Sequence, residues 1–179
     1  MPVDNNEFFK NMFEEKKMYI AERTNYVSRK IVLITTFSGF GSLGNYNGVF
    51  FFPLLFFVPL IAIAYDLYIN AADSRIKQWG YFVRDDNNKY LFSDAELKWE
   101  SYMASERGKN APLANLILSI VCVLFSYFIL FYYLIASEII VKPLLLLWAV
   151  FMIGIIYYVN SLHRDHVLRL DQTSGYKSN

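Results

Sequence analysis

The distribution of apolar residues along the chain predicts four membrane-spanning helices. The clearest runs from Leu113 to Ala136 without a charged residue, Gly or Pro, and a second runs from Leu144 to Leu162. Val49 to Ile69 is also long enough, and its two prolines predict a bend. A span needs about 20 residues, so the apolar stretch from Ile31 to Leu43 is too short to cross a bilayer unless the span also includes Tyr26 to Lys30.

Polar segments separate these predicted spans. Phe8 to Lys30 contains no Gly or Pro and predicts an amphipathic helix. This helix either lies on the membrane or on a partner helix, or is an ordinary packing helix of the cytoplasmic part. Gly44 to Gly48 predicts a compact turn, and the charged, aromatic stretch from Asn70 to Pro112 predicts a small helical unit. Within that unit, Ser93 and Glu96 have the spacing of a capping box at a helix start.

Together these patterns predict an all-α, polytopic membrane protein with two transmembrane hairpins. The predicted parts are an amphipathic helix at 1–30, a hairpin at 31–69, a cytoplasmic helical unit at 70–112, a second hairpin at 113–162 and a tail at 163–179. The sequence leaves open whether the first helix continues into the first span. A continuous helix would carry force from the membrane to the cytoplasm.

Composition and charge agree with a membrane protein and predict its orientation. Hydrophobic residues make up 55% of the chain, above the roughly 45–50% of soluble domains. All of the 17 Lys and Arg residues except Lys142 fall before the first span, between the hairpins or after the last span. The positive-inside rule therefore predicts that both termini face the cytoplasm, in what we expect to be a bacterial inner membrane.

Candidate chemistry is sparse. The single cysteine, Cys122, lies in an apolar run and permits neither an internal disulfide nor a Cys-based zinc site. No catalytic motif is present, so we expect neither an enzyme nor a cofactor, and the net charge of +1 does not favour nucleic acid. Asp66 is the one charged residue assigned to a span, which argues against a pump or a coupled transporter.

Small residues on the first predicted span form one candidate contact surface. Their i, i+4 spacing lets membrane helices approach closely, either within one subunit or between subunits of a homo-oligomer, and their polar groups could instead line a pore between subunits. These residues are Thr35, Ser38, Gly39 and Ser42.

Two further groups of residues are candidates for contacts. Basic and aromatic side chains beside the second and third spans could bind anionic lipid or a cytoplasmic protein partner. They are Arg75, Lys77, Trp79, Arg84, Trp99 and Arg107. His163 and His166, spaced i, i+3, could sense pH or contribute to a metal site, or could simply be polar residues at the membrane surface.

The plan of a charged helix, a hairpin, a cytoplasmic unit and a second hairpin resembles the small multi-span membrane components of bacterial anti-phage and conflict systems. The resemblance implies oligomerisation and coupling to a cytoplasmic sensor or effector. The leading hypothesis is therefore a non-enzymatic, homo-oligomeric protein that senses or perturbs the membrane and docks a cytoplasmic partner. The alternatives are an oligomeric pore that depolarises the membrane and, third, a lipid-modifying enzyme.

Overall fold

The protein is built from helices joined by short connections. The computed structural model describes residues 5–85, 87–105, 110–134 and 141–173. Its helices are α1 (Asn5–Ser42), α2 (Phe57–Arg84), α3 (Asp94–Ser105), α4 (Asn110–Leu134) and α5 (Val141–Thr173). Two short strands, β1 (Asn45–Tyr46) and β2 (Val49–Phe50), and 3-10 helices at Phe52–Phe56 and Lys89–Leu91 lie between them. The predicted all-α class is confirmed.

Three helical stretches in the described part of the chain are long and apolar enough to cross a membrane. They are Phe52–Arg84, Leu113–Tyr133 and Lys142–Arg169. On α4, exposed apolar side chains recur at helical spacing, as expected of a surface that contacts lipid: Leu113, Ile117, Val121, Phe125, Phe128 and Tyr132. An integral membrane protein is therefore supported, with three candidate spans in place of the four predicted.

The boundaries of the helices differ from the predicted divisions of the chain. The division after Lys30 falls inside α1, which is continuous from Asn5 to Ser42. The division at Asn70 likewise falls inside α2, and α5 continues past His163 to Thr173. Helices α1, α2 and α5 thus each contain an apolar part and a polar part. The change from apolar to polar residues does not end these helices, because packing against neighbouring helices stabilises them.

The predicted turn at Gly44 to Gly48 is a β-hairpin. β1 and β2 pair antiparallel, and Asn47 and Gly48 between them both have positive φ, of 52° and 80°. Asn-Gly is the residue pair that favours this tight two-residue connection. Gly44 ends α1 with a φ of 65°, and a Cβ there would lie 2.3 Å from the Tyr133 ring.

The two prolines of the second span do not interrupt α2. Pro53 lies in the first turn of the 3-10 helix Phe52–Phe56, and Pro59 lies in the first turn of α2. Amides in the first turn of a helix have no partner within the helix, so proline removes no hydrogen bond there. The prolines therefore mark helix starts, and the predicted bend stays a prediction.

The helices form a bundle in which α2 packs against α1, α4 and α5. Apolar side chains pack within the bundle in three clusters, and the buried ones are Leu55, Leu130 and Leu145; Ile34, Val58, Ala62 and Cys122; and Val123, Ala149, Met152 and Ile156. We call the end near Gly44 the hairpin end. We call the opposite end, where α3 contacts α1 and α2, the polar end.

Candidate functional site

Charged residues join α1 to its neighbours at regular intervals. Three cations on α1 recur every seven residues, which places them on one face of the helix, about 10 Å apart along its axis. Each lies within 4 Å of a carboxylate on α2 or α3. The pairs are Lys16–Glu100, Arg23–Asp73 and Lys30–Asp66, and we call them the ion-pair ladder.

The Lys30–Asp66 pair is fully buried among the helices. Lys30 Nζ donates to Asp66 Oδ1 at 2.7 Å, to Asn115 Oδ1 at 2.8 Å and to Ser119 Oγ at 2.6 Å. An ammonium group has three hydrogens, so all of its donors are satisfied. The side chains of Lys30 and Asp66 have no exposed surface.

The Asp66 carboxylate is equally well satisfied. Asn115 Nδ2 donates to its Oδ1 at 2.6 Å, and Ser119 Oγ donates to its Oδ2 at 2.7 Å. Helices α1, α2 and α4 thus build one closed polar cluster, which we call the Lys30 cluster. Burying an ion pair requires this degree of hydrogen bonding, because otherwise desolvation outweighs the attraction between the charges.

Asp73 is the centre of a second polar cluster, two helical turns along α2 toward the polar end. Lys77 Nζ lies 2.5 Å and His163 Nε2 lies 3.0 Å from Asp73 Oδ2, while Arg23 Nε lies 3.7 Å from Oδ1. The other nitrogen of His163 is 3.3 Å from Ser74 Oγ. This cluster brings cationic groups of α1 and α2 and a histidine of α5 to one carboxylate.

The third pair of the ladder lies at the polar end. Lys16 Nζ is 2.5 Å from Glu100 Oε1 and 3.5 Å from the centre of the Trp79 ring. Phe13 also packs on Trp79, with ring centres 5.3 Å apart. A cleft of about 270 Å³ opens beside these residues. Its lining consists of Glu15, Lys16, Tyr19, Arg75, Gln78 and Trp79.

Helix α3 is held in place by the capping box that the sequence predicted. Ser93 Oγ accepts from the backbone amide of Glu96 at 3.3 Å, and the Glu96 carboxylate accepts from the backbone amide of Ser93 at 2.8 Å and from its hydroxyl at 2.7 Å. These bonds from Ser93 hold the pKa of Glu96 below its ordinary value. The cap fixes the start of the helix that carries Glu100.

The small residues of the first predicted span divide between two surfaces. Ser38 is buried, whereas Thr35, Gly39 and Ser42 are exposed. Thr35 and Ser42 donate their hydroxyl hydrogens to backbone carbonyls within α1, and a Cβ at Gly39 would meet no atom within 4 Å. Packing within the subunit therefore uses Ser38 and leaves the exposed residues at the outer surface of α1.

The basic and aromatic candidates occupy different environments. Lys77 and Trp79 belong to the clusters described above, and Arg84 is buried with its Nε donating to Gly80 O at 3.0 Å. Arg75 is exposed and its guanidinium lies 5.0 Å from the Tyr19 ring. Trp99 is 59% exposed, which leaves it accessible to lipid or a partner. Arg107 lies outside the described residues.

The two histidines do not share a site. His163 is nearly buried against Asp73, whereas His166 is exposed. In the described part of the chain no group of three or more His, Cys, Asp or Glu side chains could hold a metal ion. The structure places His163 and Lys77 on the same oxygen of Asp73.

Lys30 was assigned to the polar helix because it immediately precedes the apolar stretch, yet it is fully buried against Asp66. This cation was therefore missed as a partner of Asp66 in the sequence analysis. Two signals were present in the sequence, namely the seven-residue spacing of Lys16, Arg23 and Lys30 and the same spacing of Asp66 and Asp73.

Comparison with protein-family models, curated proteins and solved structures finds no match for the chain. Its function is therefore argued from the ion-pair ladder and the helices that carry it.

Proposed function

We propose that the protein is a non-enzymatic membrane protein that couples the state of the bilayer to a cytoplasmic partner, with α1 as the transmitting element. The observation that carries this proposal is the continuity of α1 from Asn5 to Ser42, together with the ladder along it. Sharp kinks in helices occur mainly at Pro, at Gly/Ser pairs or at bulges, and α1 contains no Pro or Gly from Asn5 to Phe37, so a displacement at one end can reach the other.

The proposal includes a fourth span and an orientation. The apolar part of α1 would cross the membrane beside α2, with Lys30 about 18 Å from Ser42 at 1.5 Å per residue. The polar end would face the cytoplasm, because it carries the basic residues that the positive-inside rule retains there. Labelling of a cysteine at Asn45 but not at Ser101 by an impermeant reagent added outside supports this orientation, and the reverse pattern contradicts it.

The partner surface would lie at the polar end, on α3 and the first half of α1. Trp99 lies beside Tyr102 with ring centres 6.1 Å apart, and both rings are exposed. Aromatic side chains are enriched at protein interfaces, where they give large contact areas. The resemblance to anti-phage components extends the proposal to a homo-oligomer in a bacterial inner membrane, acting in antiviral defence.

Coupling through α1 can be measured by the distance between spin labels on α1 and α5. Cysteines at Ala21 and Arg164, both exposed, would carry the labels in a Cys122→Ala background. In nanodiscs of short-chain and long-chain lipid, we expect the distance distribution to differ. The reason is that α1 must shift to match its apolar part to the bilayer thickness.

Softening α1 provides the matched control. Ser28 and Arg29 are exposed and lie between the second and third pairs of the ladder. Glycine costs about 1 kcal/mol relative to alanine within a helix, so Ser28→Gly with Arg29→Gly should reduce the thickness-dependent shift. Ser28→Ala with Arg29→Ala should preserve it. Equal responses of the two double variants, or no shift in the unmodified helix, would contradict the proposal.

A homo-oligomeric pore is the second candidate, favoured by the polar groups on the outer surface of α1. Thr35, Gly39 and Ser42 are exposed and could line a path between subunits. Ion flux from liposomes should then be lost in Ser42→Trp and retained in Val121→Trp, which places the same bulk on the exposed face of α4. Absence of flux in the unmodified protein, or equal flux in both variants, excludes the pore.

A further inference from the structure

We propose that the oxygen atoms around Lys30 form a binding site for a small monovalent cation such as Na⁺, which Lys30 fills with its own ammonium group. Helices α2 and α4 supply every oxygen of this site, and α1 supplies only the cation. The division matters because a shift of α1 can remove Lys30 while the oxygens stay together. The inference rests on the proposed function, because it requires that α1 moves.

The ligand chemistry fits a small hard cation. A carboxylate, an amide oxygen and a hydroxyl oxygen lie 2.6–2.8 Å from Lys30 Nζ. Oxygen ligands of these types suit hard cations. Asp66 contributes the single negative charge of the cluster, which one monovalent ion balances, whereas a divalent ion would leave a buried excess charge.

Asp66 also has hydrogen-bond partners other than Lys30. Asn115 Nδ2 and Ser119 Oγ both donate to the Asp66 carboxylate, at 2.6 Å and 2.7 Å. These two bonds join α2 to α4 without a contribution from α1. When the ammonium leaves, the Ser119 hydroxyl oxygen and the Asn115 amide oxygen keep lone pairs directed at the same position.

Charge balance links the movement of Lys30 to ion binding. Leaving a buried carboxylate without a counter-charge is strongly unfavourable, so withdrawal of Lys30 needs a replacement cation. Conversely, a bound cation repels the ammonium from the cluster. The concentration of the cation would therefore bias the position of α1, which gives the proposed coupling protein an ionic input.

A cation would reach the site from the polar end. Asn115 is only partly buried and lies near the start of the apolar part of α4, at the polar end. On the side of the hairpin end, the cluster is covered by apolar side chains, namely Ile34, Val58, Ala62 and Cys122. Asn70, one turn from Asp66 toward the polar end, has a buried Nδ2 without a hydrogen-bond partner in the described residues. Such a group marks a position for bound water.

Removal of Lys30 tests the oxygen site directly. In nanodiscs, we expect Lys30→Ala to unfold at a temperature several degrees higher in NaCl than in choline chloride of equal ionic strength, because Na⁺ fills the position of the ammonium group. The double variant Lys30→Ala with Asp66→Asn should show no difference between the salts. If the alanine variant does not fold, Lys30→Met retains most of the side-chain volume and serves the same purpose.

Exchange in the unmodified protein is tested by acetic anhydride labelling, read by mass spectrometry at constant pH. Acetylation of Lys30 should increase with NaCl but not with choline chloride, while the exposed Lys17 should react equally in both. No Na⁺-specific stabilisation of the Lys30 variant would overturn the proposal. So would Na⁺-independent protection of Lys30. Neither outcome affects the spin-label test of coupling, which is made at fixed salt in bilayers of different thickness.

Discussion

The first and last pairs of the ion-pair ladder have similar contacts but different surroundings. Lys16 and Glu100 approach to 2.5 Å, and Lys30 and Asp66 approach to 2.7 Å. The side chain of Lys16 is 21% exposed and its ammonium also meets the Trp79 ring. Lys30 has no exposed surface and depends on Asn115, Ser119 and its carboxylate partner.

This difference shows that distance alone does not set the energetic importance of an ion pair. Where water can replace a lost partner, removing one charge costs little. In a buried site the remaining charge has no substitute, and breaking a buried pair costs about 3–5 kcal/mol. The energetic effect of removing a carboxylate should therefore be larger at Asp66, whose lysine partner is fully buried, than at Glu100, whose lysine partner is 21% exposed.

The largest expected effect follows removal of Asp66. Asp66→Ala leaves the Lys30 ammonium buried without its carboxylate, and we expect the free energy of unfolding to fall by about 3 kcal/mol or more. Denaturant unfolding in a fixed mixed micelle would measure the change.

Removing both charges of the buried pair is the matched control. Asp66→Leu with Lys30→Met replaces the pair by apolar groups of similar volume, which is often neutral or stabilising for buried ion pairs. The double variant should be more stable than Asp66→Ala alone. If the single and double variants lose equal stability, the cost arises from packing and not from the unpaired charge of Lys30.

The fold class and the Lys30 cluster differ in how far the sequence predicts them. Long apolar segments and the Ser93 capping box depend on neighbouring residues, so local patterns are enough to predict helices and membrane insertion. The burial of Lys30 depends on Asn115 and Ser119, which lie 85 and 89 residues away along the chain. Hydropathy alone predicts that a lysine is exposed to water. It contains no information about partners that lie so far away along the chain.

The hairpin end gives a second example of the same limit. Asn47-Gly48 is a recognised signal for a two-residue β-hairpin, but two strands of two residues each are too short to produce an alternating pattern. A turn was therefore predicted without its strands. Likewise, the approach of Tyr133 to Gly44 joins residues from α4 and the end of α1, which no local pattern could reveal.

An intermediate effect is expected at Asp73, the carboxylate of the second pair. His163 contacts Asp73 and His166 is exposed, so these two residues of α5 provide a matched comparison. His163→Ala removes a hydrogen bond to the charged Asp73 and should lower the free energy of unfolding by about 1.5 kcal/mol. Since His166 is exposed, His166→Ala should change it by no more than about 0.5 kcal/mol. If both variants change the free energy of unfolding equally in the same micelle assay, the contact between Asp73 and His163 does not stabilise the protein.

The smallest effect of the series is expected at the polar end. Glu100→Ala leaves Lys16 with the Trp79 ring and with water, so the loss should be about 1 kcal/mol. Trp99→Ala, next in the chain but exposed and outside the ladder, serves as the control for changes in α3 itself. The Lys16 side chain is 21% exposed, whereas Lys30 and Asp66 have no exposed surface. Because salt screens charges that reach solvent more strongly than fully buried ones, added choline chloride should reduce the Glu100 effect more than the Asp66 effect. If salt changes both equally, the two ends of the ladder share one dielectric environment, and burial does not distinguish them.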